Sequence, residues 1–396
     1  MVYLRFCLIF LVMASAVVPV IWGGAGMWLA FLIVVFLTTG GDALFGDDTS
    51  DPDYRHPWIL NVYLYATLPV LLAFTSVFAW YLGDGDFLKI GATVQALTGY
   101  DMFAARAATT WSNHLGGALA VGLMFGGVGT VVGHELTHRT WSKPAMIVGR
   151  WLLALTSDAS FAIEHVYGHH RNVATKGDPA TARRGENAWV FVARSTVQSY
   201  LHAWKLERER LQRVGKSVWS WHNRMHRGNL MTLVYAAGFY AAAGWLGVAV
   251  FFATSLYGKA YLEFVNYVEH YGLVRVPDAP VEPRHSWNCN RRMSSYMLFN
   301  LTRHSHHHAE GEKPFWDLKA YPDTPMLPSG YLTMIIIAAI PPLWNRIMIP
   351  RVKAWDAHYA TEAERPYIEA ANRESKHPAF REHYDFDRVP LKPATA

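Results

Sequence analysis

Six apolar runs constrain this chain more than any other feature: residues 6–22, 27–40, 59–82, 115–133, 230–247 and 249–268. A helix needs about 20 mostly apolar residues to cross the hydrocarbon core. Inside that core each backbone N–H and C=O must find its partner within the protein, so the runs predict membrane helices. Composition agrees. The chain is 52% hydrophobic and 17% charged, against about 25% charged in an ordinary soluble domain. Its 14% of aromatic residues suits rings at the membrane–water interfaces. Gly23 and Gly24 part the first two runs, and a hinge near Gly244–Gly247 parts the last two, giving three hairpins. Ala14-Ser15-Ala16 has the small residues of a signal-peptide cleavage site, but the apolar run continues beyond it, which favours a span. The expected fold class is all-α integral membrane, with six transmembrane helices.

Two further apolar runs do not read as spans. Residues 145–163 contain Arg150 and Asp158, and a charge at mid-bilayer costs at least ~2.5 kcal/mol. Residues 331–343 are short and run into Pro341-Pro342. Both read as interfacial or re-entrant. The sixth span carries Lys259 and Glu263, which stand four apart and can pair on one helix face. With the N-terminus inside, segment 134–229 places fifteen Lys or Arg in the cytosol and segment 271–396 sixteen, while only Lys89 and Arg106 lie outside. The positive-inside rule therefore orients both termini to the cytosol, and the expected location is a bacterial-type inner membrane. Residues 1–355 form the expected membrane domain, with cytosolic segments 134–229 and 269–355, and 356–396 form a cytosolic tail.

That orientation brings three histidine boxes to one membrane face: GHELTHR (133–139), EHVYGHHRN (164–172) and LTRHSHHHA (301–309). Within them His134/His138, His165/His169 and His304/His308 stand four apart, one helical turn, so each pair shares a helix face. His170 and His307 point elsewhere and can reach a second ion, and NYVEHYG adds His270 as a ninth ring. Neutral imidazole suits iron, copper, nickel or zinc. His134-Glu135-Leu136-Thr137-His138 also matches the zinc protease pattern. A catalytic zinc needs only about three protein ligands, however, and nine histidines suit two metals.

The remaining histidines have plainer readings. His56, His114, His202, His222, His226, His358, His377 and His383 read as structural or solvated, His285 as core or surface, and His306 as facing away from the His304–His308 stripe. Glu135, Glu164 and Glu269 each adjoin a candidate ligand and Asp178 follows the second box. Such carboxylates orient ligating imidazoles through the second ring nitrogen. The two cysteines belong to no CxxC motif, and no basic run interleaves with stacking aromatics, so neither a disulfide framework nor a nucleic-acid surface is expected.

The boxes resemble those of the integral-membrane diiron desaturases and hydroxylases. GHHRNVATKGDPATARRGE (168–186), NYVEHYGLVR (266–275), HSWNCNRRMSSYMLFNLTRHSHHH (285–308), YPDTPMLPSGY (321–331) and IPPLW (340–344) resemble, more narrowly, the membrane alkane hydroxylases. The resemblance implies a cytosolic diiron domain capping the spans. It implies two iron ions held by His134, His138, His165, His169, His170, His270, His304, His307 and His308. It also implies O2-dependent conversion of a terminal methyl to a primary alcohol, with electrons from rubredoxin and its reductase. Thr137 and His306 depart from the family pattern, both at non-ligand positions. WDAHYATEAERPYIEAAN (355–372) is more similar to the xylene monooxygenase branch, which hydroxylates a ring methyl, so alkane and methylarene both stay open, with an acyl desaturase behind them.

A lipid-facing slot would deliver such a substrate. The fourth span is rich in glycine, which serves either room for a chain or close helix packing. Trp28, Phe31 and Phe36 of the second span are candidate limits on chain length, or simply lipid-facing rings. A basic cytosolic face that includes Arg183, Arg184, Lys205, Arg208, Arg210, Arg213 and Lys216 would steer an acidic donor, or meet phospholipid. A transporter with a histidine-lined path would place polar residues in mid-span, and these spans carry few.

Overall fold

A computed structural model describes residues 2–381; the end of the tail, with His383, lies outside the described residues. The described residues form helices joined by loops, with two isolated β-bridges and no strand. Five helices have the length and apolarity of membrane spans: Val2–Trp22, Gly26–Leu44, Pro57–Leu82, Trp111–His138 and Arg224–His270. The last is two antiparallel helices. It breaks at Ala243 (φ −146°) and Gly244 (φ 59°), and Phe239 then packs on Phe251 with ring centroids 5.2 Å apart. Glycine at 244 meets the left-handed backbone of that turn. The chain is an all-α membrane protein.

Local chemistry fixes the element ends. Gly23 and Gly24, both at positive φ, turn the first span into the second. Pro57 opens the third span, where its missing N–H costs nothing. Thr110 and Asn113 form a capping box on the fourth, and the Asn223 side chain accepts from Met225 at the start of the fifth.

Helix Lys143–Ala154 packs back along the end of the fourth span through Gly133 and Gly149, where an added Cβ would meet the facing backbone oxygen at 3.0 Å. It is too short to cross. The chain then turns back through residues 155–160 to the second histidine box. Asp158 from that return joins Lys259 at 2.6 Å, and Glu263 joins it at 2.6 Å. The buried cation thus has two carboxylates rather than the one expected from spacing alone. Helices Tyr331–Ala338 and Pro341–His358 are bent by 117°, as Pro341-Pro342 leads one to expect.

The fourth-span glycines serve mainly packing. A Cβ at Gly116, Gly117, Gly122 or Gly126 would lie 2.8 Å or less from Trp28, Phe78, Tyr257 or the Gly258 carbonyl, respectively. At Gly127 the nearest atoms are 3.7 Å away.

Candidate metal centre

The histidines ride on helix ends. His134 and His138 occupy the last turns of the fourth span, which runs through to His138. His270 ends the sixth, and His304–Ala309 is a short buried helix. Two π turns set their phase, Phe125–Gly129 ahead of the first box and His165–His169 within the second. One inserted residue rotates the succeeding helical turn by about 100°.

The π turn changes the expected pairing in the second box. His165 pairs with His170, whose backbone N–H bonds back to the His165 carbonyl, and His169 turns to the other side. The nine rings form two clusters. His134, His138, His165, His170 and His307 make one; His169, His270 and His308 make the other, and His304 joins it with Glu269 through His270. His306 stays out: its Nε2 meets Glu310 at 3.1 Å and its Nδ1 accepts from the Lys319 backbone.

In the first cluster Nε2 atoms face each other: His134–His165 2.8 Å, His134–His138 3.2 Å, His165–His170 3.1 Å and His170–His307 3.1 Å. A ring nitrogen either donates once or accepts once. His134, His165 and His170 would each need to do both, so hydrogen bonding alone does not account for this arrangement. Nitrogens bound at about 2.1 Å to a shared ion, at right angles, stand about 3.0 Å apart. In the second cluster His304 Nε2 lies 3.1 Å from His270 Nε2. There the buried His169 Nε2 and both His308 nitrogens have no hydrogen-bond partner. Such orphaned polar atoms are costly unless something binds them, so both clusters fit transition-metal ligation.

Electrostatics favour the ligating form. Burial, reinforced by neighbouring rings, holds the His165, His170, His304, His307 and His308 imidazoles well below their usual range. They are neutral, with a lone pair free. Burial alone would also lower His169 and raise Asp178. Their contact at 2.9 Å outweighs it in both cases, so His169 is raised and Asp178 lowered.

The four carboxylates divide. Asp178 holds His169 Nδ1, and Glu269 lies 3.2 Å from His304. Glu135 instead pairs with Arg139 at 2.7 Å, because the i, i+4 spacing and burial bring a permanent cation to it. Glu164 is held by His202 Nδ1 at 3.0 Å, a contact between residues 38 apart that no local spacing announces. His285 pairs with Glu364 at 2.7 Å across 79 residues and ties the tail to the domain.

Arg184 is not the exposed cation expected of a docking face. It is 2% exposed and its guanidinium is clamped on Asp356 at 2.5 and 2.8 Å, with Asn372 beside it. Arg183 stays exposed.

On the membrane side, Val34, Thr38, Gly127, Val128, Tyr261 and Leu298 line a narrow apolar crevice. Gly127 and Val128 stand about 10 Å up the helix from His134. The second span contributes Val34 and Thr38 here. Phe36 faces outward, 68% exposed, and Trp28 covers Gly116.

Fold and centre together define a class, the all-α membrane proteins with a buried polyhistidine centre beside an apolar crevice. Residues 109–338 match the fatty acid desaturase family. The chain is 36% identical to alkane 1-monooxygenase 1 of Pseudomonas aeruginosa, over 86% of this chain and 88% of that one. It is 33% identical to alkane 1-monooxygenase 2 of Alcanivorax borkumensis, over 83% of each. It is 28% identical to the xylene/toluene monooxygenase hydroxylase component XylM of Pseudomonas putida, over 95% and 96%. The chain belongs to the fatty acid desaturase family and, within it, to the membrane alkyl monooxygenases.

Proposed function

We propose that this protein hydroxylates the terminal methyl of n-alkanes at a diiron centre held by the nine clustered histidines, with rubredoxin as electron donor. The balance is R–CH3 + O2 + 2 e− + 2 H+ → R–CH2OH + H2O: one C–H and the O–O bond break, a C–O bond forms, and the second oxygen leaves as water. The observation that carries the reading is the convergence of nine rings, seven buried and two half-buried, into two adjacent clusters, with an apolar crevice among the spans that carry them.

His134, His138, His165, His170 and His307 would hold one iron, and His169, His270, His304 and His308 the other. When bound, the irons supply the redox chemistry with O2. Asp178 fixes the ring of His169 through its back nitrogen. Glu269 stands against His304 as a further ligand or brace. The crevice walls take a chain end out of lipid, where each CH2 favours an apolar environment by ~0.8 kcal/mol, and keep water away from the reacting carbon. The distribution of Lys and Arg supports an inner-membrane protein with both termini in the cytosol.

A second reading, hydroxylation of a methyl on an aromatic ring, is favoured by one observation: the likeness to XylM covers 95% of the chain, and so includes much of the tail. Expression with a rubredoxin system in an alkane-negative host, offered octane, hexadecane and p-xylene under labelled O2, separates the two. Labelled primary alcohol from the alkanes supports the first reading, and labelled methylbenzyl alcohol alone the second. Unlabelled alcohol or an alkene overturns both.

A further inference from the structure

A cleft of about 520 Å³ opens beyond the cytosolic ends of the spans, between the loop after the second box, the residues after His270 and helix Arg365–Glu374. Its walls are largely apolar, with Leu273, Val274, Pro366 and Tyr367 among them. Exposed Lys176 and Arg183 stand at its mouth, where Lys176 reaches Glu374 at 2.5 Å. Its lining includes Asp178, whose carboxylate accepts from His169 Nδ1 at 2.9 Å. One carboxylate and one imidazole therefore connect this surface to the second histidine cluster.

We infer that this cleft is the docking site of the electron donor, an acidic one-electron carrier protein that seats an apolar prominence between Leu273 and Tyr367 and sets its acidic rim against Lys176 and Arg183. The inference rests on the monooxygenase reading and gives that reading a place for its partner. Each docking oxidises the donor by one electron and reduces the centre by one, so two dockings serve one O2. An acidic rim against two cations gives steered, salt-sensitive association, and the apolar walls give a buried anchor. Arg184 belongs to the cleft wall but offers no free charge there, since Asp356 and Asn372 hold its guanidinium.

The test uses the full-length protein in nanodiscs with rubredoxin as probe. Lys176→Glu with Arg183→Glu is expected to weaken rubredoxin binding at least tenfold at low salt. Glu374→Lys, which removes the acid paired with Lys176, is expected to tighten it severalfold. Peroxide-driven octane hydroxylation, which needs no donor, should be unchanged in both. An unchanged rubredoxin Kd in the double reversal, or in Glu374→Lys, overturns the docking site. Should the double reversal also lose peroxide-driven turnover, Glu374→Lys decides. Wild-type protein that binds rubredoxin here but yields no labelled alcohol keeps the docking site and removes the hydroxylation reading instead.

Discussion

At the scale of single residues, partners decide roles that sequence position leaves open. Asp178 and Glu135 both lie near histidine boxes, yet only Asp178 meets a ligand candidate. Asp178→Asn should leave the helices intact and weaken iron retention about 10- to 100-fold, read as metal content after dialysis against a chelator. Arg184→Ala strands the buried Asp356 carboxylate and should cost about 3–5 kcal/mol of stability. Its readout is a lowered melting temperature, with rubredoxin binding at low temperature unaltered. Glu207 supplies a pH dependence. Burial raises its carboxyl, but hydrogen bonds from Arg210 and Arg224 prevail and bring it down to about 2. A carboxyl depressed in the folded state stabilises above its unfolded value of about 4.3 and loses that contribution as pH falls through the folded value. Glu207→Gln should therefore be less stable than wild type at pH 7, with the gap closing between about pH 4 and 2. Melting curves of the two proteins in detergent check this.

Elements separate packing from substrate access along one helix. Gly126 and Gly127 are neighbours in the fourth-span π turn. A side chain at Gly126 would strike the Gly258 carbonyl at 2.7 Å, whereas one at Gly127 would find its nearest atoms at 3.7 Å, within the crevice wall. Gly126→Val should lower yield and stability, by more than about 1–3 kcal/mol. Gly127→Val should fold and shift the octane-to-hexadecane product ratio. Equal stability losses in both would remove the assignment of the crevice to substrate. The spans themselves were legible because hydropathy and the costs of buried charge are local properties: the break near Gly244 and the exclusion of 145–163 come from them directly. The π turns were not. They sit where Gly126 approaches Gly258 and Tyr261 and where Glu164, beside the second box, meets His202 of helix Ala188–Arg213, contacts made between distant parts of the chain. For that reason i, i+4 spacing picked out the residues of the second box that cluster but paired them wrongly.

Over the whole molecule, the spans carry their histidines to one end, where the rings gather in a largely buried polar centre, with the apolar crevice among the spans and the cleft lined by Leu273 and Tyr367 beyond their ends. The nine rings were legible in the sequence because their number and spacing exceed what a single zinc or a scatter of surface histidines needs. Their division into five and four, the clamp on Arg184 and the tail's hold on His285 come from contacts across 31 to 172 residues, which no local pattern encodes. The account depends most on what those rings bind. Metal analysis of the full-length protein, purified without oxygen from iron-replete cells, tests it most directly. Two irons and essentially no zinc per chain is the predicted result. One metal per chain, or zinc in place of iron, would contradict it.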